Sequence, residues 1–469
     1  DGSATPEQAT AQRLVHLSHA HFAYAQEQVD LVGQSALELQ RLVDTDPSPA
    51  GTTAALLART WQAHLSADFE RARGLAQRLV EPGTTSADVQ VAGPMPGLNG
   101  VWRGRSVLAQ MAGQLGDEEQ LDDHWRVLAE LGERYSHPVL EWRAMLGGIC
   151  QRLWKGQVDG AEDLLARAPS TVSAASDDLR RTHPALYGWC RWAAEDLDGL
   201  QELLAELDAD VGGGGGDRTE RGHPGLPALA GQQADLQLAV AELQGFPLDG
   251  DWVRALDRHP ASPAVSPLLN RYVRGIALTA AGRAAEAEAA AEELRAMGAT
   301  WVPGALADLV AAATTLAPDP EASLRSAQLA RDAADRHGWA LVRFRATMAM
   351  AHAAQRADLQ QVGTDAARDS LDWAERHRLE RSAARARRLL RGFGVQVAST
   401  GSEAHGGLTG RQWEVAGLVA AGLSNAEVAD RLFISVRTVT THLDHIFTRL
   451  DLTSRTALGA WYRDHQGDT

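Results

Sequence analysis

Apolar residues recur about every 3.6 positions along most of this 469-residue chain, and that spacing predicts helices. The pattern is clearest over 269–297, where a first apolar stripe is followed by a second: Leu269, Tyr272, Val273, Ile276, Ala277 and Ala280, then Ala287, Ala290, Ala291 and Leu294. Alternating runs of β-branched residues, which would predict strands, are nearly absent between residues 8 and 391. The predicted fold class is therefore all-α.

One arrangement repeats eight times: an apolar helix, a break at a small residue, and a second helix whose packing position lies five residues after the break. The pairs of break and packing position are Ala67/Ala72, Gly116/Leu121, Gly156/Ala161, Ala194/Gly199, Gly245/Gly250, Gly282/Ala287, Ala317/Ala322 and Ala357/Val362. One helical hairpin cannot bury its apolar face alone, so repeated hairpins stack into an α-solenoid with a concave wall. The step of five resembles tetratricopeptide repeats, so we predict a TPR-like array. An irregular helical bundle is the alternative.

The segment 408–456 carries the most specific signals. Thr409 with Gln412 and Ser424 with Glu427 have the spacing of capping boxes, and Gly422 stands where a helix must stop. Ser435 is in position to cap a further helix. Three apolar stripes accompany these signals: Val415, Leu418 and Val419; Val428, Ala429 and Leu432; and Val439, Leu443, Ile446 and Leu450. Together they predict three short helices closing one small core.

This order of helices is typical of a helix-turn-helix DNA-binding domain. The helix at 424–433 would cross the DNA backbone, and the helix at 435–450 would enter the major groove. Its outward residues would face the bases: Thr440, Thr441, Asp444 and His445. A second set would contact phosphates: Arg437, Thr438, Arg449 and Arg455, together with the exposed amides at Ser424 and Asn425. A last helix at 454–465 has an apolar face that could pair two copies, with Leu458, Trp461 and Tyr462.

Residues 408–465 resemble the LuxR-type helix-turn-helix domain. The matching positions are Leu408, Thr409, Arg411, Glu414, Val415, Leu418, Gly422, Ser424, Asn425, Glu427, Ala429, Leu432, Ile434, Ser435, Thr438, Val439, His442, Ile446, Leu450 and Arg455. The resemblance implies a four-helix domain that binds double-stranded DNA as a homodimer through its last helix. A helical array followed by this domain resembles the C-terminal portion of the large ATP-binding LuxR regulators.

The segment departs from that family pattern in its charge. Many LuxR-type domains carry Lys or Arg where Thr440 and Asp444 stand here. Residues 408–469 contain six arginines and seven acidic residues, so we expect weak non-specific binding and a shallow salt dependence. Asp444 either accepts a hydrogen bond from a cytosine amino group or only caps or pairs with Arg449 or His445.

Composition narrows the function classes. Because the net charge is −16, any contact with nucleic acid must be confined to a local surface. Lys155 is the only lysine. Cys150 and Cys190 lie inside helical patterns and are expected to be reduced core residues of a cytoplasmic, nucleoid-associated protein. No 18-residue apolar run or signal peptide is present, which argues against a membrane partner. The first residue is not Met, so we expect a piece of a longer chain.

Two interruptions suggest the domain organisation. Residues 211–227, with five consecutive glycines, predict a mobile loop, and residues 392–407 predict a linker. The repeat domain would then span 1–391 and the DNA-binding domain 408–469. Five arginines crowd the end of the first domain and form either a DNA contact or a solvated face: Arg381, Arg385, Arg387, Arg388 and Arg391.

The sequence predicts no catalysis. No G-x-x-x-x-G-K-[ST] phosphate loop, G-x-S-x-G elbow or H-E-x-x-H motif occurs, and no cofactor is expected. His16 and His19 could share a helix face, but they lack a third ligand. We therefore expect a sequence-specific transcriptional regulator whose repeat domain senses an unknown small-molecule or protein effector. The alternative is a protein-interaction scaffold in which the C-terminal domain mainly dimerises.

Overall fold

The computed structural model describes most of the chain: residues 6–25, 28–81, 99–135, 138–171, 177–212, 227–247, 252–258, 267–298, 300–397, 408, 410–432, 434, 436–450, 452 and 454–465. In these residues the chain forms 23 α-helices and no strand, so the all-α prediction is confirmed. The chain divides into two compact units, Asp1–Trp373 and Ala374–Thr469. The central parts of the predicted loop (213–226) and linker (398–407) lie outside the described residues.

The first unit is built from consecutive helices. They are α1 (Pro6–Ala25), α2 (Val29–Thr45), α3 (Pro49–Leu65), α4 (Phe69–Val80), α5 (Asn99–Leu115), α6 (Glu118–Tyr135), α7 (Pro138–Trp154), α8 (Val158–Thr171), α9 (Asp177–Ala193), α10 (Leu197–Gly212), α11 (Pro227–Gln244), α12 (Trp252–Arg258), α13 (Pro267–Ala280), α14 (Ala284–Ala296), α15 (Trp301–Thr315), α16 (Pro320–His337), α17 (Ala340–Arg356) and α18 (Gln360–Arg376), the last of which ends in the second unit. The eight predicted breaks fall in the connections of eight successive pairs, from α3/α4 to α17/α18.

The connection between α3 and α4 shows why a helix must stop at these breaks. Ala67 adopts a left-handed backbone, with φ of 56°. Its amide donates to the carbonyl of His64, and the amide of Asp68 donates to the carbonyl of Ala63. Asp68 then begins the next helix, because its carboxylate accepts a hydrogen bond from the amide of Arg71. One residue thus ends α3 and the next starts α4, which gives a tight hairpin.

The step of five residues is measured from the left-handed residue. In four connections the residue five positions after the left-handed one is fully buried. The left-handed residues are Ala67, Gly116, Gly156 and Gly282, and the buried ones are Ala72, Leu121, Ala161 and Ala287. Two predicted breaks were one residue early, because α9 and α17 extend one residue further than expected. The left-handed residues there are Glu195 and Asp358, and the buried positions are Leu200 and Gly363.

The break at Ala317 differs from the others. No left-handed residue occurs between α15 and α16. Ser323 is buried there instead of the predicted Ala322, and Asp319 caps α16 by accepting from the amide of Ala322. The packing position predicted for the break at Gly245 is Gly250, which lies outside the described residues.

Helices from distant hairpins also pack against each other. Helix α5 contacts α15, and α7 contacts α17. The rings of Trp154 and Trp339 lie 5.7 Å apart, and Trp301 meets Trp339 edge to face at 5.0 Å. Gly116 has no room for a side chain, because an added Cβ would come within 2.9 Å of Val302. The first unit is therefore held together by contacts of α5 with α15 and of α7 with α17, in addition to the packing of neighbouring hairpins.

A half-buried ion pair joins α17, α11 and α9 of this unit. Arg345 on α17 donates to Glu242 on α11 at 2.5 Å, and its guanidinium lies 3.8 Å from the ring centre of Trp192 on α9. The indole of Trp192 donates to the other carboxylate oxygen of Glu242 at 2.7 Å. Burial alone would lower the pKa of Arg345, but the Glu242 carboxylate outweighs it and raises the pKa. The Arg345 guanidinium therefore stays charged.

Several smaller expectations can be compared with the described residues. Cys150 and Cys190 are free and buried, as predicted, and burial raises the pKa of the Cys190 thiol. Nδ1 of His19 lies 3.0 Å from the hydroxyl of Ser35, and the described residues contain no group of three potential metal ligands. No helix in the described ranges is long and apolar enough to cross a membrane.

Candidate nucleic-acid interface

The second unit contains the end of α18 and five further helices: α19 (Glu380–Gly392), α20 (Gly410–Ala420), α21 (Asn425–Leu432), α22 (Val436–Leu450) and α23 (Arg455–His465). Helices α20 to α23 surround one core, whose buried residues are Leu408, Val415, Ala416, Val419, Val428, Ala429, Val439, Leu443, Ile446 and Leu458. Leu418, Leu432 and Leu450 pack against it while partly exposed. The three predicted stripes therefore meet in a single core.

The start of α21 is a capping box. The amide and the hydroxyl of Ser424 both donate to Glu427 at 2.7 Å, and the amide of Glu427 donates back to the Ser424 hydroxyl at 3.3 Å. These hydrogen bonds stabilise the ionised carboxylate and hold the pKa of Glu427 below its ordinary value. The prediction from the Ser424 and Glu427 spacing is confirmed. The predicted caps Thr409 and Ser435 lie outside the described residues.

The end of α20 confirms the role of Gly422. Its φ of +92° is left-handed, its amide donates to the carbonyl of Val419, and the amide of Leu423 donates to the carbonyl of Leu418. This is the same helix ending that recurs in the repeat unit. It turns the chain sharply from α20 into α21.

The outer face of α22 is polar. Thr440, Asp444 and His445 are exposed and Thr441 is half-buried, while the apolar stripe of the same helix lies in the core. The four residues predicted to face bases therefore lie on the solvent side of the helix. Their contact with bases remains a prediction.

Asn425 and Arg455 have a role that the sequence did not indicate. Arg455 on α23 donates at 2.6 Å to the side-chain oxygen of Asn425, and it also donates to the carbonyl of Leu423. The amide nitrogen of Asn425 lies 3.4 Å from the hydroxyl of Thr440 on α22. A chain of polar side chains thus links α23, the start of α21 and the outer face of α22. Arg455 is half-buried and already hydrogen-bonded within the domain, so its guanidinium is less available to a phosphate than predicted.

The remaining predicted phosphate contacts differ in accessibility. Ser424 and Arg449 are exposed, and Thr438 is half-buried. Arg437 lies on α22, but its side chain is outside the described residues. Arg411, which the sequence analysis matched only as a family position, donates to the Leu432 carbonyl at 2.9 Å and so ties α20 to the end of α21.

The apolar face of α23 packs inside the domain, which corrects the prediction for Leu458. Its side chain is fully buried, so it cannot meet a second copy. Tyr462 and Trp461 pack against Trp413 of α20, with ring centres 4.3 and 5.9 Å apart. An added Cβ on Gly417 would lie 2.7 Å from the Tyr462 hydroxyl, so the glycine permits this close approach. The outward face of α23 consists instead of small and polar residues: Thr456, Ala460, Arg463 and Asp464.

Helices α20 to α23 around one core, with an exposed polar face on α22, define a helix-turn-helix domain. Residues 407–461 match the family described as bacterial regulatory proteins, luxR family. The C-terminal segment is therefore a LuxR-family domain, as the sequence analysis expected. The match covers this domain and leaves the repeat unit outside it.

Three known proteins are similar to this chain over 51 to 62 residues. The chain is 51% identical over 53 residues to the putative HTH-type transcriptional regulator Mb0914c of Mycobacterium bovis, which covers 11% of the chain and 6% of that protein. It is 39% identical over 62 residues to the transcriptional regulatory protein LiaR of Bacillus subtilis, or 13% of the chain and 29% of that protein. It is 45% identical over 51 residues to the oxygen regulatory protein NreC of Staphylococcus haemolyticus, or 11% and 24%. The chain therefore matches less than a third of each relative.

Proposed function

We propose that this protein is a sequence-specific DNA-binding transcriptional regulator that acts in the cytoplasm, at the nucleoid. The observation that carries the proposal is the exposed polar face of α22 on a LuxR-family domain. The names of the similar proteins, which describe transcriptional regulators, support it. No catalytic role is proposed for the chain.

The geometry suggests how the domain would read DNA. Helix α22 enters the major groove, where Thr440, Thr441, Asp444 and His445 reach the base edges. Arg449 on α22 contacts a phosphate and fixes the register, whereas Ser424, whose amide and hydroxyl already donate to Glu427, serves to begin α21. The side chains of Asn425 and Arg455 hold α21 and α23 against α22, so they set the angle of the reading helix rather than bind DNA directly.

DNA selection with the full chain tests this proposal. We expect one motif to be enriched from a random duplex library. Thr440→Ala and Asp444→Ala should each change the preference at one or two base pairs, because each removes an outward group of α22. Thr52→Ala, an exposed threonine on α3 of the repeat unit, is the matched control and should select the wild-type motif. Uniform tightening by Asp444→Ala on all sequences would show that Asp444 only repels DNA.

The charge of the domain favours a second candidate, the scaffold. Six arginines against seven acidic residues in 408–469 give little attraction for phosphates. In this case the C-terminal domain would mainly pair two copies of the chain. Failure of the full chain to enrich any motif at low salt, together with a stable dimer in sedimentation, would favour the scaffold over the regulator.

We further propose that the protein binds DNA as a homodimer and that the repeat unit responds to an effector. Since Leu458 is buried, pairing would use the outward face of α23, around Thr456 and Ala460. The hairpin array, which resembles a TPR-like solenoid, would bind a small molecule or a protein. Selection repeated with candidate effectors tests this, and a longer linker in place of 392–407 should abolish any effect of the effector on DNA binding.

A further inference from the structure

The LuxR-family domain lacks the positive charge that usually accompanies DNA binding, but the segment immediately before it has an excess. Residues 374–397 contain seven arginines and two glutamates, whereas 408–469 contain six arginines and seven acidic residues. Phosphate neutralisation by Lys and Arg supplies most non-specific affinity for DNA. The charge needed for the proposed function therefore lies on α19 and its flanks.

Helix α19 presents some of this charge on one face. Its opposite side is buried, through Ser382, Ala383, Ala386, Leu389 and Leu390. Arg381, Arg388 and Arg391 are exposed, and their spacing of seven and three residues places them on one side of the helix. The five arginines noted in the sequence thus separate into an outward set of three and two half-buried ones.

The outward arginines are not used in ion pairs. Arg387 is half-buried and donates to Glu375 at 2.6 Å, so its charge is compensated. Arg381, Arg388 and Arg391 have no acidic partner among the described residues. Some exposed arginines elsewhere pair with acids nearby: Arg41 with Glu38, Arg126 with Asp123 and Glu130, and Arg325 with Asp319 and Glu321. Others, such as Arg78, Arg356 and Arg368, form no ion pair among the described residues. What distinguishes α19 is that three such arginines share one face beside the LuxR-family domain.

The stability of α19 does not explain the positions of all three outward arginines. Arg388 and Arg391 lie near the C-terminus of α19, where positive charge interacts favourably with the helix dipole. Arg381 lies in the first turn, where the same dipole disfavours a positive charge. A surface that recruits a negatively charged partner accounts for all three positions.

We propose that the face formed by Arg381, Arg388 and Arg391 binds the phosphate backbone of duplex DNA as a second contact beside α22. This inference rests on the DNA-binding function proposed above. The 16 residues 392–407 that join α19 to the LuxR-family domain can span at most about 55 Å. That length corresponds to on the order of 30 phosphates of duplex DNA, so both contacts fit on one binding site.

The experiment compares the salt dependence of DNA binding by the full chain and by the triple variant Arg381→Gln/Arg388→Gln/Arg391→Gln. The probes are the selected motif and a random duplex of equal length. Loss of three phosphate contacts should make the slope of log K against log salt shallower by about 2.7 per protomer and weaken binding on the order of 100-fold near 0.1 M salt. Both duplexes should be affected equally, and the selected motif should not change.

The matched control removes the same number of positive charges from the repeat unit: Arg41→Gln/Arg126→Gln/Arg325→Gln. It should keep the wild-type slope, since those arginines are paired with acids on the repeat unit. A triple Arg→Lys variant of the α19 face should keep the wild-type slope too, because phosphate attraction needs charge rather than a guanidinium. Single Arg381→Gln, with a slope change of about 0.9, provides the test if the triple variant does not fold.

An unchanged slope in the α19 triple variant would overturn the proposal, and it is the result expected if this face binds an acidic protein surface instead. An equal change in the control triple would also overturn it, because the effect would then come from net charge alone. Absence of DNA binding by the wild-type chain is a different outcome. It would overturn the proposed function, and the second contact with it.

Discussion

At the residue scale, a polar side chain of this domain can serve either to bind a ligand or to stabilise the domain itself. Asn425 and Arg455 match positions of the LuxR-type pattern and were predicted to contact phosphates. The structure joins their side chains to each other at 2.6 Å and joins the side chain of Asn425 to Thr440, while a phosphate contact of the Asn425 amide remains a prediction. A half-buried guanidinium that satisfies a carbonyl and an amide oxygen contributes to the stability of the domain whether or not DNA is present.

Arg455→Ala should destabilise the C-terminal domain by about 1–3 kcal/mol, because it leaves the Leu423 carbonyl and the Asn425 side chain without their donor. Hydrogen exchange of 408–465 in the full chain measures this locally, as faster exchange of the amides of α21 and α23. Arg449→Ala, at an exposed position on α22, is the control and should leave exchange unchanged. Wild-type exchange with weaker DNA binding in Arg455→Ala would instead support a phosphate contact.

Local residue signals were predictable and tertiary ones were not. Gly422 and the pair Ser424 and Glu427 act within one turn of backbone, so their spacing alone indicates their role. Leu458 could not be assigned from spacing. An apolar stripe shows that a helix buries one face, but it does not show whether the neighbour is the same domain or a second copy.

At the element scale, the connections of the repeat unit combine a helix end and a helix start in two residues. Five left-handed positions are not glycine: Ala67, Glu195, Phe246, Asp358 and Arg378. A side chain makes this backbone unfavourable, since Cβ crowds the neighbouring carbonyl oxygen. The small residue that marked each break in the sequence was therefore sometimes the neighbour of the left-handed one, which explains the errors of one residue at Ala194 and Ala357.

Ala67→Gly should stabilise the protein by up to about 1 kcal/mol, because glycine adopts φ of 56° without the Cβ contact. Equilibrium denaturation measures the change. Ala72→Gly, five residues later in a fully buried helical position, is the matched control and should destabilise by about 1 kcal/mol or more. A loss of stability in Ala67→Gly would contradict the account of the connection.

The capping box of α21 should make the local stability of the C-terminal domain depend on pH. The pKa of Glu427 is lower in the folded state, so its contribution is present above the ordinary pKa of glutamate and is lost as pH falls through the lowered value. Glu427→Ala should speed exchange of the α21 amides at neutral pH. The difference from wild type should shrink at acidic pH, whereas a difference independent of pH would contradict a role for the ionised carboxylate.

At the scale of the whole molecule, the repeat unit is more than a stack of neighbours. The periodic breaks predicted the hairpins, because each repeat has its own local signal. The contacts of α5 with α15 and of α7 with α17 have no such signal. They depend on how small rotations accumulate along the array, so the packing of Trp154 on Trp339 could not be predicted from spacing.

Arg345→Met should destabilise the repeat unit by about 1–3 kcal/mol, because it leaves the half-buried carboxylate of Glu242 without its charged partner. Adding Glu242→Met should recover part of this loss, since the uncompensated charge is then removed as well. Denaturation of the two single variants and the double variant forms the complete cycle. Additive losses would show that the pair is not coupled.

The contacts between distant hairpins also have a consequence for how the repeat unit assembles. An array held only by adjacent repeats can lose its terminal repeats one by one. Here α5 and α7 need partners that begin about 200 residues later in the chain, so Gly116 and Trp154 cannot complete their packing until Val302 and Trp339 have been synthesised. Such late, long-distance contacts slow assembly and favour a single cooperative unfolding transition over stepwise fraying from the ends.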